Sequence, residues 1–229
     1  TLILPFNDIE AVAETLQNSA EGIAAIIVEV IPHNIGCVLP RREFLQALRD
    51  LCTQYGVVLI FDEVITGFRH AVGGYQSTGR ADFMDRFGPG GGVLFAGTYN
   101  GHAVGVSAAL ATIAELASGD VHDHCFALAQ VAADGLTAIA QELGIPMQVA
   151  RFGSVFVPYF MEEGPIESYT DLFRNNNARD TWFRKTMCEH GIFMIPTAMK
   201  RNHVSAAHTR ADIDRTLDVA RDVLKQIPA

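Results

Sequence analysis

Lysine is nearly absent from this sequence. Only Lys185, Lys200 and Lys225 occur in 229 residues, and arginine supplies the rest of the 17 basic side chains. Acidic residues number 26, which sets the formal net charge at -9 and the isoelectric point near 5.3. A chain of that sign offers no basic face to displace the counterions of a phosphate backbone or an anionic lipid surface, so no nucleic acid and no membrane is expected as a partner. Apolar runs of the roughly 20 residues needed to cross a bilayer are also missing. The opening residues TLILPFNDIEAVAE lack the basic start and cleavage pattern of a secretory leader, and the expected location is cytoplasmic. The cysteines Cys37, Cys52, Cys125 and Cys188 are irregularly spaced with no CxxC pair, which predicts buried free thiols rather than a disulfide framework. His122 and His124 form an HxH pair between two predicted helices; they would start a metal site only if further ligands converged, and a solvated loop is the preferred reading, with no metal expected.

What is present is a large apolar fraction, 49% of the residues, enough to bury a substantial core in one large domain or two modest ones. The spacing predicts a helix from Ile9 to Asn18. It is followed by GIAAIIVEVI at residues 22 to 31, an almost unbroken apolar run of strand length that suits a parallel strand covered on both faces. After Pro40, Phe44, Leu48, Leu51 and Tyr55 recur at helical intervals, and Gly56 supplies the stop. VVLIFDEV then reads as a second apolar strand, so strand, helix and strand form a parallel unit and the class is α/β. Residues 70 to 92 hold at most one short helix, around Ala81 to Phe87. Two helices dominated by small residues follow, from Gly101 to Ser118 and from His122 to Leu143, and are expected to pack closely. Beyond them come short strands at MQVARFG and SVFVPYF, a helix from Ala178 to His190, a strand at IFMIP, and a last helix opened by a capping box of Thr209 and Asp212. The change of pattern places a boundary near residue 120, with a smaller α+β domain after it.

The segment carrying most chemical information is LIFDEVITGFR. It sets Asp62 at the carboxyl end of a buried strand, where open α/β sheets bind ligands. A desolvated carboxylate there needs a partner: either a salt bridge or capping role, or a cationic ring nitrogen. Periodicity alone leaves these alternatives open. The glycine cluster in FGPGGGVLFAGTYNGH fits neither a Walker loop nor a strand-anchored GxGxxG, and by itself reads as a flexible loop or, less favourably, a nucleotide-binding turn.

Taken in order, IAAIIVEVIPHNIGCVLP, FLQALRDLCTQYGVVLIFDEVITGFR, FAGTYNGH and VSAAHTRADIDRTL resemble the class III aminotransferases, most of all the glutamate-1-semialdehyde aminomutase-like branch. The resemblance touches nearly the whole chain. It implies the pyridoxal-phosphate transferase fold of type I, with residues 1–120 forming the C-terminal part of a large cofactor-binding domain whose sheet is mostly parallel, and residues 121–229 a small α+β domain. The implied cofactor is pyridoxal 5'-phosphate. By the same resemblance Asp62 would keep the pyridinium nitrogen protonated, and Val64, two residues on and on the same strand face, would pack against the ring. Thr98, beside Gly97, would bind the cofactor phosphate of a neighbouring subunit, which implies a homodimer with shared active sites. Glu29 stands where the family shows Glu-Pro, with Val30 in place of the proline. Asn34 and Gly36 fall in the loop nearest the substrate, where a plain turn competes with a direct contact. Arg69 is expected to brace the loop after FDEV. Lys200 or Arg201 would meet a substrate carboxylate unless they are solvated loop charges, and His203 and His208 are expected to be structural.

The reaction implied by the resemblance moves an amino group between an amino acid or amine and an oxo acid through a lysine Schiff base, and none of the three lysines stands in the family's context. No catalytic residue is therefore identified in the sequence. In relatives GGYQS continues toward a Gly-Lys pair before a GRADxM-like helix, whereas here Ser77 runs directly into Thr78. A strand and the lysine are lost at the same place, so a gap of about two dozen residues between Ser77 and Thr78 is expected, and the fragment as written is not expected to be competent. The half of the family's chain that carries the phosphate-binding turn is likewise not seen. A cation at Lys200, where the aminomutase branch is expected to have a carboxylate, favours an aminotransferase; a 2,1-aminomutase and a catalytically dead homologue are the alternatives.

Overall fold

The computed structural model describes residues 1–73 and 101–228. Helix α1, Ile9–Ser19, starts where the Asp8 carboxylate accepts the Ala11 amide at 2.9 Å, and buries Val12 and Leu16. Strand β1, Ala25–Glu29, is followed by helix α2, Arg42–Tyr55, which buries Phe44, Leu48 and Cys52 on one face. Gly56 ends α2 in the left-handed conformation at φ 68°, returning its amide to Cys52 and Thr53. Strand β2, Val58–Asp62, then pairs parallel with β1 in a register that sets Ala25 against Val58 and Glu29 against Asp62. The α/β unit expected from periodicity is thus present. The expectation that both faces of these strands are covered is not met among the described residues: Ile27 is 66% and Ile60 42% exposed, because α1 and α2 pack only on the opposite face.

Helix α3, Ala103–Leu116, and helix α4, Asp120–Leu143, meet at a bend of 70° across residues 117–119, where Gly119 adopts φ 86°. The predicted close packing of these helices is corrected by the structure: α3 buries no residue and leaves Val104, Val106 and Leu110 exposed. The HxH pair also lies inside α4 rather than in a loop. His122 Nε2 contacts the Phe68 carbonyl and His124 Nε2 the His208 carbonyl, both at 2.8 Å. Among the described residues no group of three or more His, Cys, Asp or Glu could hold a metal ion, and no single helix is long and apolar enough to cross a membrane.

After α4 come antiparallel strands β3, Gln148–Phe152, and β4, Val155–Tyr159. Helix α5, Asn177–Glu189, a two-residue strand β5, Asn202–His203, and helix α6, Arg210–Leu224, complete the chain. The third strand is β5 on β4, not the predicted one at IFMIP. At IFMIP no strand pairing forms among the described residues; the Met194 amide instead donates to Cys188 Sγ and the Cys188 thiol donates to the Met194 carbonyl, at the end of α5. The predicted capping box holds, with the Asp212 carboxylate accepting from the Thr209 amide and hydroxyl.

Two cores lie in this half. One sets Leu128, Ala132, Leu136 and Ile139 of α4, spaced at helical intervals, against Ile213, Ala220 and Val223 of α6 and Phe183 of α5. The other joins Ile31, Cys37 and Val38, from the loop after β1, to Phe152, Val155 and Val157 of the antiparallel sheet, where the Tyr159 hydroxyl donates to the Gly36 carbonyl. Burial pushes the Cys37 thiol up to about 12, so it packs as a neutral apolar group. The sheet edge is braced by a fully buried ion pair, Arg184 Nε to Asp180 Oδ1 at 2.5 Å, whose second carboxylate oxygen accepts the Met199 amide at 2.6 Å.

Removing one partner of that pair leaves an uncompensated buried charge, a cost of about 3–5 kcal/mol, whereas replacing both with apolar residues removes the charge altogether. Asp180→Ala is therefore expected to lower stability by about that amount in urea denaturation, and the double variant Asp180→Leu/Arg184→Met to recover most of it; an equal loss in both would contradict this account of the pair. His33, fully buried in the loop after β1, is held neutral down to about pH 3, by burial first and then by Arg201, His203, Arg69 and His70. Since the unfolded chain takes up that proton near 6.5, the stability contributed by His33 is complete above 6.5 and is lost as the pH falls toward its folded value. Between pH 6.5 and about 5, above the range of exposed carboxylates, the urea midpoint of the natural protein is expected to fall more steeply than that of His33→Phe.

Candidate ligand site at the carboxyl edge of the parallel strands

Parallel pairing brings the carboxyl ends of β1 and β2 to one edge, with Glu29 and Asp62 as register partners. Asp62 is half-buried. One of its oxygens accepts the Val64 amide at 3.0 Å, a turn in which an acidic side chain caps the backbone two residues on. The other oxygen has no partner among the described residues, and no arginine locks it. Val64 is not on the strand face assigned to it from sequence. Strand β2 ends at Asp62, so Val64 falls in the turn, where its side chain is 92% exposed.

The loop leaving β2 folds back through Glu63 and Thr66, whose side chains are 3.3 Å apart, and is braced as expected by Arg69, which donates from Nε to the Ile65 carbonyl at 3.1 Å. The loop leaving β1 presents Asn34, exposed, beside the buried His33. Both loops reach β5. Arg201 Nη1 donates to Asn34 Oδ1 at 2.9 Å and to the His33 carbonyl at 3.3 Å, and Arg69 Nη1 lies 3.0 Å from His203 Nδ1. Of the residues singled out in the sequence as substrate contacts, the structure thus brings Asn34 and Arg201 together. Lys200 is half-buried near Cys37 and forms no ion pair among the described residues. His208 is structural, its Nδ1 engaging Ser205, whereas His203 sits between two guanidiniums. Loss of hydration and the nearby Arg69 and Arg201 lower His203 to about 4, so its ring is neutral near pH 7. Gly97, Thr98 and the junction between Ser77 and Thr78 lie outside the described residues, as do the glycine cluster and the short helix expected near Ala81.

Sequence reasoning missed Arg69, His33 and His203 as one group. Their positions, 33, 69 and 203, are too far apart for any local motif. The available signal was topological: the first two follow strand carboxyl ends, where ligands of α/β sheets gather.

Residues 4–76 match the family described as Aminotransferase class-III. The glutamate-1-semialdehyde 2,1-aminomutase of Nitratidesulfovibrio vulgaris (strain DSM 19637 / Miyazaki F) is 39% identical over 97% of this chain and 58% of its own length. That of Desulfatibacillum aliphaticivorans is 36% identical over 99% of the chain and 59% of its own length. The second alignment runs over 251 positions, more than the chain's 229 residues, so at least 22 positions of that relative face a gap here. The chain therefore spans less than two thirds of the curated relatives it matches, and aligns with breaks. An omega-transaminase from Sphaerobacter thermophilus superposes with a TM-score of 0.88 at 26% identity, covering 98% of this chain and 57% of that one, which establishes the pyridoxal-phosphate transferase fold of type I. With the FDEV strand end, the parallel unit and these relatives in agreement, the chain resembles the class III aminotransferase family along nearly its whole length, and residues 4–76 match that family's own pattern.

Proposed function

We propose that the whole protein is a pyridoxal-phosphate-dependent aminotransferase that moves an amino group between an amino acid or amine and an oxo acid. The carrying observation is Asp62, half-buried at the ligand edge of the sheet, with one carboxylate oxygen spent on the Val64 amide and the other open. That oxygen suits a ring N–H donor, so the residues present fit the pyridine end of the cofactor. When bound, the cofactor supplies an electron sink for the carbanion left when a substrate Cα loses its proton.

In this reading Asp62 holds a proton on the ring nitrogen, the exposed Val64 side chain offers an apolar surface to the ring, and Thr98 with Gly97 binds the phosphate across a homodimer interface. Asn34, Lys200 and Arg201 line the substrate side. The proton-shuttling lysine is assigned to the positions of the relatives that face a gap in this chain, which agrees with the extra alignment length. We further place the boundary between the large and small domains near residue 120, at the bend between α3 and α4. The second reading, a 2,1-aminomutase, is favoured by the names of the curated relatives.

Incubating the full-length protein with pyridoxal phosphate is expected to give a visible absorbance band that borohydride removes; no band would sink the reading. A charge-assisted hydrogen bond from Asp62 is worth about 1.5–3 kcal/mol, so Asp62→Asn is expected to weaken cofactor binding by about 10- to 100-fold in an equilibrium titration, without unfolding the chain. The two reactions separate by co-substrate demand: an aminotransferase turns over only when an amino donor and an oxo acid are both supplied, while turnover of glutamate-1-semialdehyde with no acceptor, seen by chromatography, would establish the mutase instead.

A further inference from the structure

Stability alone does not account for the buried pair of Asp180 and Arg184. One contact joins them, Arg184 Nε to Asp180 Oδ1 at 2.5 Å, and both side chains are withdrawn from solvent. The terminal nitrogens of Arg184, Nη1 and Nη2, are buried too and have no hydrogen-bond partner among the described residues. A guanidinium brings five N–H donors, so most of them go unanswered here, and a buried ion pair offsets its lost hydration only when the remaining donors are met. Apolar side chains would fill this part of α5 at no such cost.

The second carboxylate oxygen supplies the reason for the pair. Asp180 Oδ2 accepts the Met199 amide at 2.6 Å, across 19 positions of sequence, and the Asn175 side-chain amide at 3.3 Å. Asp180 lies in the first turn of α5, where the helix dipole favours an anion, and Asn175 is itself fixed by donating to Asn177 and accepting the Phe160 amide. The acceptor is thus anchored, and the donor belongs to a turn under strain. Met199 stands at φ 60°, in the left-handed region that residues with a Cβ rarely adopt unless their surroundings impose it. Its half-buried side chain packs against the core that contains Ile31, Cys37 and Val38 of the loop after β1. Immediately beyond it come Lys200, Arg201 and β5, and Arg201 Nη1 donates to Asn34 Oδ1 at 2.9 Å.

We infer that Asp180 is a positioning residue for the substrate side of the site, fixing through the Met199 amide the turn that aims Lys200 and Arg201 at the loop of Asn34. Without this acceptor the Met199 backbone relaxes toward negative φ, which swings the following peptide and turns both side chains away from that loop. Arg184 supplies the counter-charge that allows the acceptor to be buried. The link to a substrate rests on the aminotransferase reading; the fixing of the turn does not.

Two double variants of the full-length protein separate positioning from stability, since both remove the buried charges. The first, Asp180→Leu/Arg184→Met, leaves Met199 no acceptor, whereas the second, Asp180→Asn/Arg184→Met, keeps an amide oxygen for it. Circular dichroism and urea midpoints verify that both fold. In brief trypsin digestion without cofactor, mapped by mass spectrometry, cleavage after Lys200 and Arg201 is expected to be about tenfold faster in the first variant than in the natural protein, and within about twofold of natural in the second. Cleavage after exposed Arg210 reports opening elsewhere and is expected to be unchanged in both. With pyridoxal phosphate bound, the rate at which aminooxyacetate bleaches the absorbance band is expected to fall about five- to tenfold in the first variant and to recover in the second, while methoxyamine, which has no carboxylate for the loop to meet, reacts alike with all three proteins. Equal cleavage of the natural protein and the first variant, or no recovery in the second, would overturn the fixed turn; faster cleavage with unchanged aminooxyacetate rates would overturn its substrate-side role. Faster cleavage with no absorbance band in the natural protein rejects only the aminotransferase reading, and a band with unchanged cleavage rejects only the role of Asp180.

Discussion

The parallel pairing of β1 with β2 is the constraint from which the site follows. Its register sets Glu29 beside Asp62, so both strands finish at the same edge and both loops start there. An antiparallel pair would have sent the loops to opposite ends, with Asn34 and Arg69 on different sides of the sheet. Register matters as much as direction, since side chains alternate between faces and a slip of one residue would turn Asp62 over. Helix α2 enforces both, because its buried stripe of Phe44, Leu48 and Cys52 seats it on one face of the strands it connects.

What the edge gains from the second half of the chain is β5. It is only two residues long, yet it carries His203 and is flanked by Arg201, and it is fixed from three directions. The sheet holds it through Val155 and Phe156; the buried Asp180 carboxylate holds the approach through the Met199 amide; and the shared core of Ile31, Cys37 and Val38 with Phe152 and Val155 locks the β1 loop against the same sheet. Against these well-filled cores stand the open face of β1 and β2 and the uncovered α3. Exposed Ile27, Ile60, Val104 and Leu110 form the kind of apolar surface that interacting segments cover, and the relatives are longer than this chain.

Much of the scaffold was legible because it is written in local periodicity. The helices α1, α2, α4 and α5 lie within a residue or two of their predicted bounds and α6 opens at its predicted Thr209 cap, since an amphipathic stripe and a terminal Gly56 or Thr209 cap declare themselves without knowledge of the rest. The misjudged elements were those whose state depends on a distant partner. IFMIP has the composition of a strand, but Cys188 Sγ takes the backbone groups that a neighbouring strand would have used. The small residues of α3 suggest close packing, yet small side chains permit an approach without compelling one. Asp62 was legible in position through its strand end, while Val64 sits in a turn held by a hydrogen bond from its own amide to the Asp62 carboxylate, an interaction that periodicity does not encode. The cluster around His203 is invisible to any window, because it is assembled from loops rather than from a motif.

The scarcity of lysine bears on how this edge manages charge. A lysine beside a second cation and partly withdrawn from water would tend to lose its proton, whereas a guanidinium stays charged; Arg69 is shifted downward by burial and by Arg201 but starts from far above neutral pH. Two arginines can therefore be crowded near one ring and remain cationic, with neutral His33 and His203 between them adding no further repulsion. The chain as a whole is acidic, at -9, so its long-range field does not draw anions to this edge. Asp62 on the same edge presents the opposite charge, so an open carboxylate at one strand end and guanidiniums without an ion pair among the described residues share one edge of the sheet.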